Sequence, residues 1–124
     1  MYDLYREQIL DYYKHPRNFG ILKNANAVAN DNLVSCGDQL SMQLLVTHHT
    51  IADIKFQGQG CAISMASASM LTELAKGKSI DDLKTLGKDD ILTLLGINPT
   101  HTRLKCALLS LEVLHKAIIN YDKV

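Results

Sequence analysis

Residues 58–69 read Gly58-Gln59-Gly60-Cys61-Ala62-Ile63-Ser64-Met65-Ala66-Ser67-Ala68-Ser69, between an alternating apolar run and a helical one. The two glycines allow the backbone to turn tightly, and the small residues after them leave an uncrowded helix start. The thiol of Cys61 is therefore expected at the positive end of a helix dipole, where a thiolate is favoured over a thiol. A structural core cysteine does not need this setting, so the stretch predicts that Cys61 is a metal or sulfur ligand.

The composition is that of a small, electrically neutral chain. It has 124 residues, with 13 basic and 13 acidic side chains. A chain of this length buries about two-thirds of the surface that it exposes when unfolded, so we expect a single domain over residues 1–124. The charged residues form no basic stripe, which argues against nucleic acid as a partner. No apolar run reaches the length of a membrane span, so no membrane partner is expected.

The N-terminal charges and the three cysteines indicate the compartment. Five charged residues of both signs lie within the first 14 positions, which argues against a signal peptide, and we expect a cytoplasmic protein. Disulfides are rare in a reducing compartment. The thiols therefore point to metal binding, to sulfur chemistry or simply to core filling.

The hydrophobic pattern predicts an α+β fold, a three-stranded antiparallel sheet packed against helices on one face. Strands are predicted near residues 27–31, 39–47 and 51–56, with a hairpin connection after the second. Helices are predicted near residues 2–14, 62–76, 79–86, 89–95 and 103–121, punctuated by glycine or proline. Strands followed by a run of helices are typical of this class.

Two further cysteines lie in settings similar to that of Cys61. Cys36 is followed by a glycine and Asp38 in a predicted turn, and Cys106 lies in the predicted first turn of the last helix. The 24 and 44 intervening residues exclude a local zinc-finger or ferredoxin motif, so the fold would have to assemble any shared site. Three thiolates and one carboxylate could hold tetrahedral zinc or an iron–sulfur cluster. The harder oxygen ligand would weaken the hold on a cluster, which suits a protein that gives its cluster away.

Three motifs resemble the IscU/SufU/NifU-N-terminal family of iron–sulfur cluster assembly scaffolds, and the resemblance covers essentially the whole chain. They are Ser35-Cys36-Gly37-Asp38, Gly58-Gln59-Gly60-Cys61-Ala62-Ile63-Ser64 and Arg103-Leu104-Lys105-Cys106-Ala107. The resemblance implies the α+β sandwich of the family and a metal or cluster site formed by Cys36, Asp38, Cys61 and Cys106. It also implies that the protein accepts sulfur from a pyridoxal-phosphate cysteine desulfurase, assembles a [2Fe-2S] cluster and passes it to acceptor apo-proteins.

The chain differs from each branch of this family. IscU members have a histidine before the last cysteine, where this chain has Lys105, and a proline-rich stretch that binds an Hsp70 chaperone, which residues 97–102 do not match. Lys105 and Arg103 resemble the SufU branch, but the insertion that SufU members carry between the second and third cysteines is missing. Many members have Asn-Pro before the first cysteine motif, where this chain has Leu33-Val34.

Three functions stay open on these residues. The first hypothesis is a non-enzymatic scaffold that holds a transient [2Fe-2S] cluster or iron, and the second is a zinc-dependent sulfurtransferase. The third is a zinc-stabilised interaction module without sulfur chemistry. For sulfur transfer, Cys106 is predicted to receive sulfur first, because Lys105 and Arg103 can stabilise an anionic persulfide. The serines after Cys61 are interpreted as packing residues, and a monomer or weak dimer is expected.

Overall fold

The computed structural model of the chain describes residues 2–33, 37–97 and 101–122. The helices are α1 (Tyr2–Lys14), α2 (Ala62–Ala75), α3 (Ile80–Lys84), α4 (Lys88–Leu95) and α5 (His101–Asp122). The strands are β1 (Ala27–Leu33), β2 (Asp38–Thr47) and β3 (Thr50–Gln59). This arrangement confirms the predicted α+β fold.

The three strands form one antiparallel sheet in the order β1-β2-β3. Alternate residues of β2 are buried. Since side chains alternate between the two faces of a strand, Asp38 points to the same buried face as Leu40 and Met42. Helices α2 and α5 contact the sheet, so this carboxylate lies at the end of the core rather than in solvent.

The β2–β3 hairpin has two local features that the sequence pattern does not show. His48 and His49 form a two-residue turn with φ angles of 51° and 62°, the conformation that suits the twist of a tight hairpin. In β3, Ile51 pairs with Val46 while Asp53 pairs with Leu45, so Ala52 is an extra residue. This bulge explains how residues 51 and 54, three positions apart, are both fully buried.

Helix α2 is enclosed by the rest of the protein, and its small side chains allow that enclosure. Ser67 Oγ donates to the Ala107 carbonyl oxygen at 2.7 Å and lies 2.9 Å from Ser110 Oγ. These bonds join α2 to α5 at Ala107, the residue that follows Cys106. The helix ends as predicted, with Lys76 as its C-cap and Gly77 at φ 87°.

The segment between α1 and β1 attaches α2 to the sheet. The Arg17 amide donates to Ser69 Oγ at 2.7 Å, and Asn18 Nδ2 donates to Thr72 Oγ1 at 3.2 Å. The Gly20 amide then donates to the carbonyl oxygen of Phe56 at 2.9 Å. This segment thereby covers part of the outer edge of β3 and joins α2 to the sheet.

Two strands are longer than predicted, because pairing with β2 extends them beyond the residues that show hydrophobic alternation. Strand β1 continues to Leu33 and β3 to Gln59, because their polar ends pair with β2. Helix α5 begins at His101, two residues before its predicted start, since no helix-breaking residue separates that position from Arg103. The helices in the described ranges include no candidate for a membrane-spanning segment.

Candidate metal centre

Three elements converge at one end of the sheet. Gln39 pairs with Gln59, so the start of β2 lies beside the end of β3. Asp38 therefore lies next to the turn that carries Cys61 into α2. Helix α5 packs against both α2 and the sheet and brings Cys106 to the same place.

The three side chains that meet there offer one carboxylate oxygen and two sulfurs. One such atom from each of Asp38, Cys61 and Cys106 lies within 4.8 Å of the others. Asp38 and Cys106 are 1% and 2% exposed, whereas Cys61 is half-buried. The geometry thus brings together three of the four predicted ligands, on a site open to solvent on the Cys61 side. That these residues bind a metal remains a prediction.

Backbone amides orient the donor atoms. Cys61 is the N-cap of α2, and its Sγ accepts a hydrogen bond from the Ser64 amide at 3.5 Å. Its own amide donates to Asp38 Oδ1 at 3.1 Å, and Asp38 Oδ2 lies 3.8 Å from Cys61 Sγ. N–H groups at a helix start favour negative charge on the groups that they face. The carboxylate of Asp38 and the sulfur of Cys61 are therefore held in place before any metal binds.

Gly60 is required by the carboxylate rather than by its own backbone angle. A Cβ at this position would lie 2.6 Å from Asp38 Oδ1 and 2.8 Å from Asp38 Cγ. The glycine therefore leaves the room that Asp38 occupies. The sequence interpretation gave this glycine only a role in turning the chain.

The donor set fits a thiophilic metal. In tetrahedral zinc sites Zn–S is about 2.3 Å and Zn–O about 2.0 Å, so neighbouring sulfur and oxygen ligands lie about 3.5 Å apart. The 3.8 Å between Cys61 Sγ and Asp38 Oδ2 is close to that edge length. A buried carboxylate is costly unless it is paired with a cation or several donors. Cys61 supplies hydrogen bonds to both carboxylate oxygens of Asp38, and a metal cation would add the balancing positive charge.

The other residues that the sequence assigned to the site do not all lie where they were predicted. Cys36 lies outside the described residues. Arg103 and Lys105 are both exposed, and among the described residues no ion pair joins either of them to Asp38. Cys106 lies in the second turn of α5, not the first, because the helix begins earlier.

A groove beside the site is lined by α1, the start of α2 and the region before α5. Its volume is about 370 Å³. The lining residues are Arg6, Ile9, Leu10, Ala62, Ile63, Ile97 and Arg103. Arg103 therefore lines a mostly apolar groove that also includes Ala62, the residue after Cys61.

Sequence reasoning assigned Ser64 to packing, yet this residue lies within the site's immediate surroundings. Its amide contacts Cys61 Sγ, and its side chain is fully buried. Of the residues that the structure describes, its hydroxyl is the one buried side-chain polar atom without a hydrogen-bond partner. Its residue type does not distinguish it, since α2 carries two further buried serines, Ser67 and Ser69.

Comparison with known proteins gives a consistent picture. The model of the NifU-like N terminal domain matches residues 4–124. The zinc-dependent sulfurtransferase SufU of Bacillus subtilis is 38% identical over an alignment of 132 positions, gaps included, that covers 93% of this chain and 89% of that protein. The iron–sulfur cluster assembly scaffold protein IscU of Aquifex aeolicus is 39% identical over 119 residues, or 94% of this chain and 75% of that protein.

Solved structures agree with this comparison. FiSufU of Fervidobacterium islandicum AW-1, assigned to the SUF system, has a TM-score of 0.79 at 30% identity, covering 90% of this chain and 94% of that one. The N-terminal NifU-like protein of Brucella abortus has a TM-score of 0.81 at 20% identity, covering 98% and 96%, and shows likeness of fold alone. The family model spans nearly the whole chain, and the SufU and IscU relatives are matched over at least three-quarters of their length, so the chain belongs to the family of the NifU-like N terminal domain, with the IscU, SufU and NifU proteins.

Proposed function

We propose that this protein is a scaffold for iron–sulfur cluster assembly. It accepts sulfur from a cysteine desulfurase, builds a [2Fe-2S] cluster and transfers the cluster to acceptor apo-proteins. The observation that carries the proposal is the convergence of donor atoms from Asp38, Cys61 and Cys106 within 4.8 Å of one another. In this proposal, Cys36 supplies the fourth ligand, and residues 1–124 act as one domain.

The chemistry of the donor set supports transient binding. Thiolates are the usual ligands of iron–sulfur clusters, while the oxygen of Asp38 is a harder ligand that binds such a cluster less tightly. Cys61 is half-buried, so an acceptor could approach the cluster from that side. A cluster bound in this way is held firmly enough to form and weakly enough to leave.

Anaerobic reconstitution tests the scaffold function. With iron, cysteine and a cysteine desulfurase, the wild-type protein should develop the visible charge-transfer absorption of an iron–sulfur cluster and contain acid-labile sulfide. Cys61→Ala and Cys106→Ala should lose this absorption. Asp89→Ala, which removes an exposed carboxylate on α4, should keep it. Protein that retains zinc and gains no sulfide would contradict the proposal.

A second candidate is a zinc-dependent sulfurtransferase, favoured by the 38% identity to the Bacillus subtilis SufU and by Lys105 before the last cysteine. Here zinc is held by the thiolates, and one thiolate attacks the outer sulfur of the desulfurase persulfide. The S–S bond breaks, the desulfurase cysteine leaves as a thiolate, and the attacking cysteine keeps the sulfur as a persulfide. In this scheme Cys106 is the acceptor, with Lys105 and Arg103 as stabilising cations.

Turnover assays separate the two candidates. Zinc-loaded protein that accelerates the desulfurase without accumulating a cluster would favour the sulfurtransferase. Persulfide trapping by alkylation and mass spectrometry then identifies the acceptor, with Cys106→Ser and Cys61→Ser compared. Equal trapping in wild type and Cys106→Ser would remove Cys106 from that role, and Cys61, which is more exposed, would be next.

A pull-down distinguishes both candidates from a metal-stabilised interaction module. Such a module would unfold when its metal is removed and would not bind a desulfurase. Binding of the desulfurase by the wild-type protein would eliminate it. The monomeric or weakly dimeric state and the cytoplasmic location stay predictions.

A further inference from the structure

The hydroxyl of Ser64 is the starting point for a further inference. The residue is fully buried at the start of α2. In the part of the chain that the structure describes, its Oγ has no hydrogen-bond partner. Buried polar groups in native proteins nearly always have partners, so such an atom suggests a partner that is absent from the protein itself.

The other buried hydroxyls of α2 show that this helix offers partners where the protein needs them. Ser67 Oγ donates to the Ala107 carbonyl oxygen at 2.7 Å, and Ser69 Oγ accepts from the Arg17 amide at 2.7 Å. Thr72 Oγ1 donates back to the Ser69 carbonyl oxygen, also at 2.7 Å. Within the described ranges, the Ser64 hydroxyl makes neither a hydrogen bond across a helix interface nor one to its own helix. Its hydroxyl differs from the three others on the same element.

The position of Ser64 connects it with the site sulfurs. It lies three residues after Cys61, and its amide donates to Cys61 Sγ at 3.5 Å. Residues three apart share a helix face, so Ser64 shares its face with Ser67, which bonds to α5 at Ala107. Cys106 directly precedes that residue and has its Sγ in the same cluster as Cys61 Sγ. Ser64 therefore lies on the side of α2 that faces α5, the helix that carries Cys106.

We propose that Ser64 is a positioning residue whose hydroxyl donates a hydrogen bond to a sulfur of the metal-loaded site. This inference rests on the proposed function, because the acceptor is a sulfur in the charged form that it has when bound to zinc or iron. Metal-bound thiolates are strong acceptors, and hydrogen bonds from surrounding residues orient them and tune the metal. The Ser64 amide already contacts one sulfur, and the hydroxyl adds a second donor from the same residue.

The substitution Ser64→Ala tests this inference on the whole chain with zinc as the probe. We expect the metal-free variant to melt at or above the temperature of metal-free wild type, because the substitution removes a buried hydroxyl that has no partner. We expect zinc affinity, measured by competition with a chromophoric chelator, to fall about tenfold, as is typical when a hydrogen bond to a metal ligand is removed.

Ser67→Ala is the matched control, a serine on the same helix face whose hydroxyl is hydrogen bonded. It should lower the melting temperature of the metal-free protein and leave zinc affinity unchanged. Cobalt substitution adds a spectroscopic measurement. The thiolate-to-cobalt charge-transfer band should shift in Ser64→Ala and stay at its wild-type position in Ser67→Ala.

The possible results have separate meanings. Equal zinc affinity for wild type and Ser64→Ala would overturn the inference alone. A metal-free Ser64→Ala that is destabilised as much as Ser67→Ala would also overturn it, since the hydroxyl would then have a partner within the protein. A wild-type protein that binds no metal would overturn the proposed function, and the inference with it.

Discussion

Replacing Gly60 with alanine should disturb the site through a single side chain, that of Asp38. The added Cβ would lie 2.6 Å from Asp38 Oδ1, about 0.8 Å closer than ordinary van der Waals contact. The carboxylate must withdraw by a comparable distance, because it is 1% exposed and has the backbone of Gly60 against it. Withdrawal breaks or weakens the 3.1 Å hydrogen bond from the Cys61 amide.

The expected magnitude follows from that hydrogen bond. A hydrogen bond to a charged group contributes about 1.5–3 kcal/mol to stability, so metal-free Gly60→Ala should lose about 2 kcal/mol. For a domain of this size the melting temperature should fall by about 8 °C. Metal ligands tolerate displacements of only about 0.2 Å, so zinc affinity should also fall, on the order of tenfold.

Thermal melts of the metal-free protein and chelator competition with zinc measure the two effects. Gly87→Ala is the control, because a Cβ there meets nothing within 4 Å, and it should keep wild-type zinc affinity. A double-mutant cycle with Asp38→Ala tests the cause, since removing the carboxylate leaves only a 3.2 Å contact with the Asp38 Cβ. If Gly60→Ala costs as much in that background as in wild type, the proposed role of the carboxylate is refuted.

Three further predictions follow from individual contacts. Gly58→Ala places a Cβ against a carbonyl oxygen of the neighbouring strand at φ 154°, so stability should fall by about 3 kcal/mol or more; a melting temperature within 2 °C (roughly 0.5 kcal/mol) of wild type would contradict this. The hydrogen bond to Glu73 raises the pKa of Tyr12, with burial adding to the shift, so Glu73→Gln should lower that pKa in an NMR titration. Because the folded pKa is raised, this interaction stabilises the protein at pH values below the unfolded pKa of tyrosine, and its contribution to stability should be lost as pH rises through the folded pKa. The hydrogen bond from Lys116 at 2.6 Å lowers the pKa of Asp31, so Lys116→Met should raise that pKa towards 3.8. The ion pair contributes to stability above the unfolded pKa of Asp31, and this contribution should be lost as pH falls through the folded pKa. An unchanged titration of Asp31 in Lys116→Met would show that the ion pair does not form in solution.

Local signals were sufficient for most of the secondary structure. Pro16 ends α1, Ser79 caps α3 and Gly96 ends α4 with φ 72°, each through a conformational preference of that residue alone. The alternation along β2 likewise predicted its buried face. The Ala52 bulge had no such signal, because its cause is the pairing of β3 with β2.

For the candidate site, too, some features follow from local sequence and others only from tertiary packing. The sequence by itself determined that Cys61 begins a helix, since glycines followed by small residues specify a turn into α2, and its motifs indicated the family. Only the tertiary structure decided that Asp38 and Cys106 meet Cys61, that Gly60 makes room for the carboxylate and that the Ser64 hydroxyl has no partner among the described residues. Those facts depend on the pairing of β2 with β3 and on the packing of α5 against α2. Contacts between residues more than 20 positions apart arise from the burial of whole faces, and short-range spacing does not encode them.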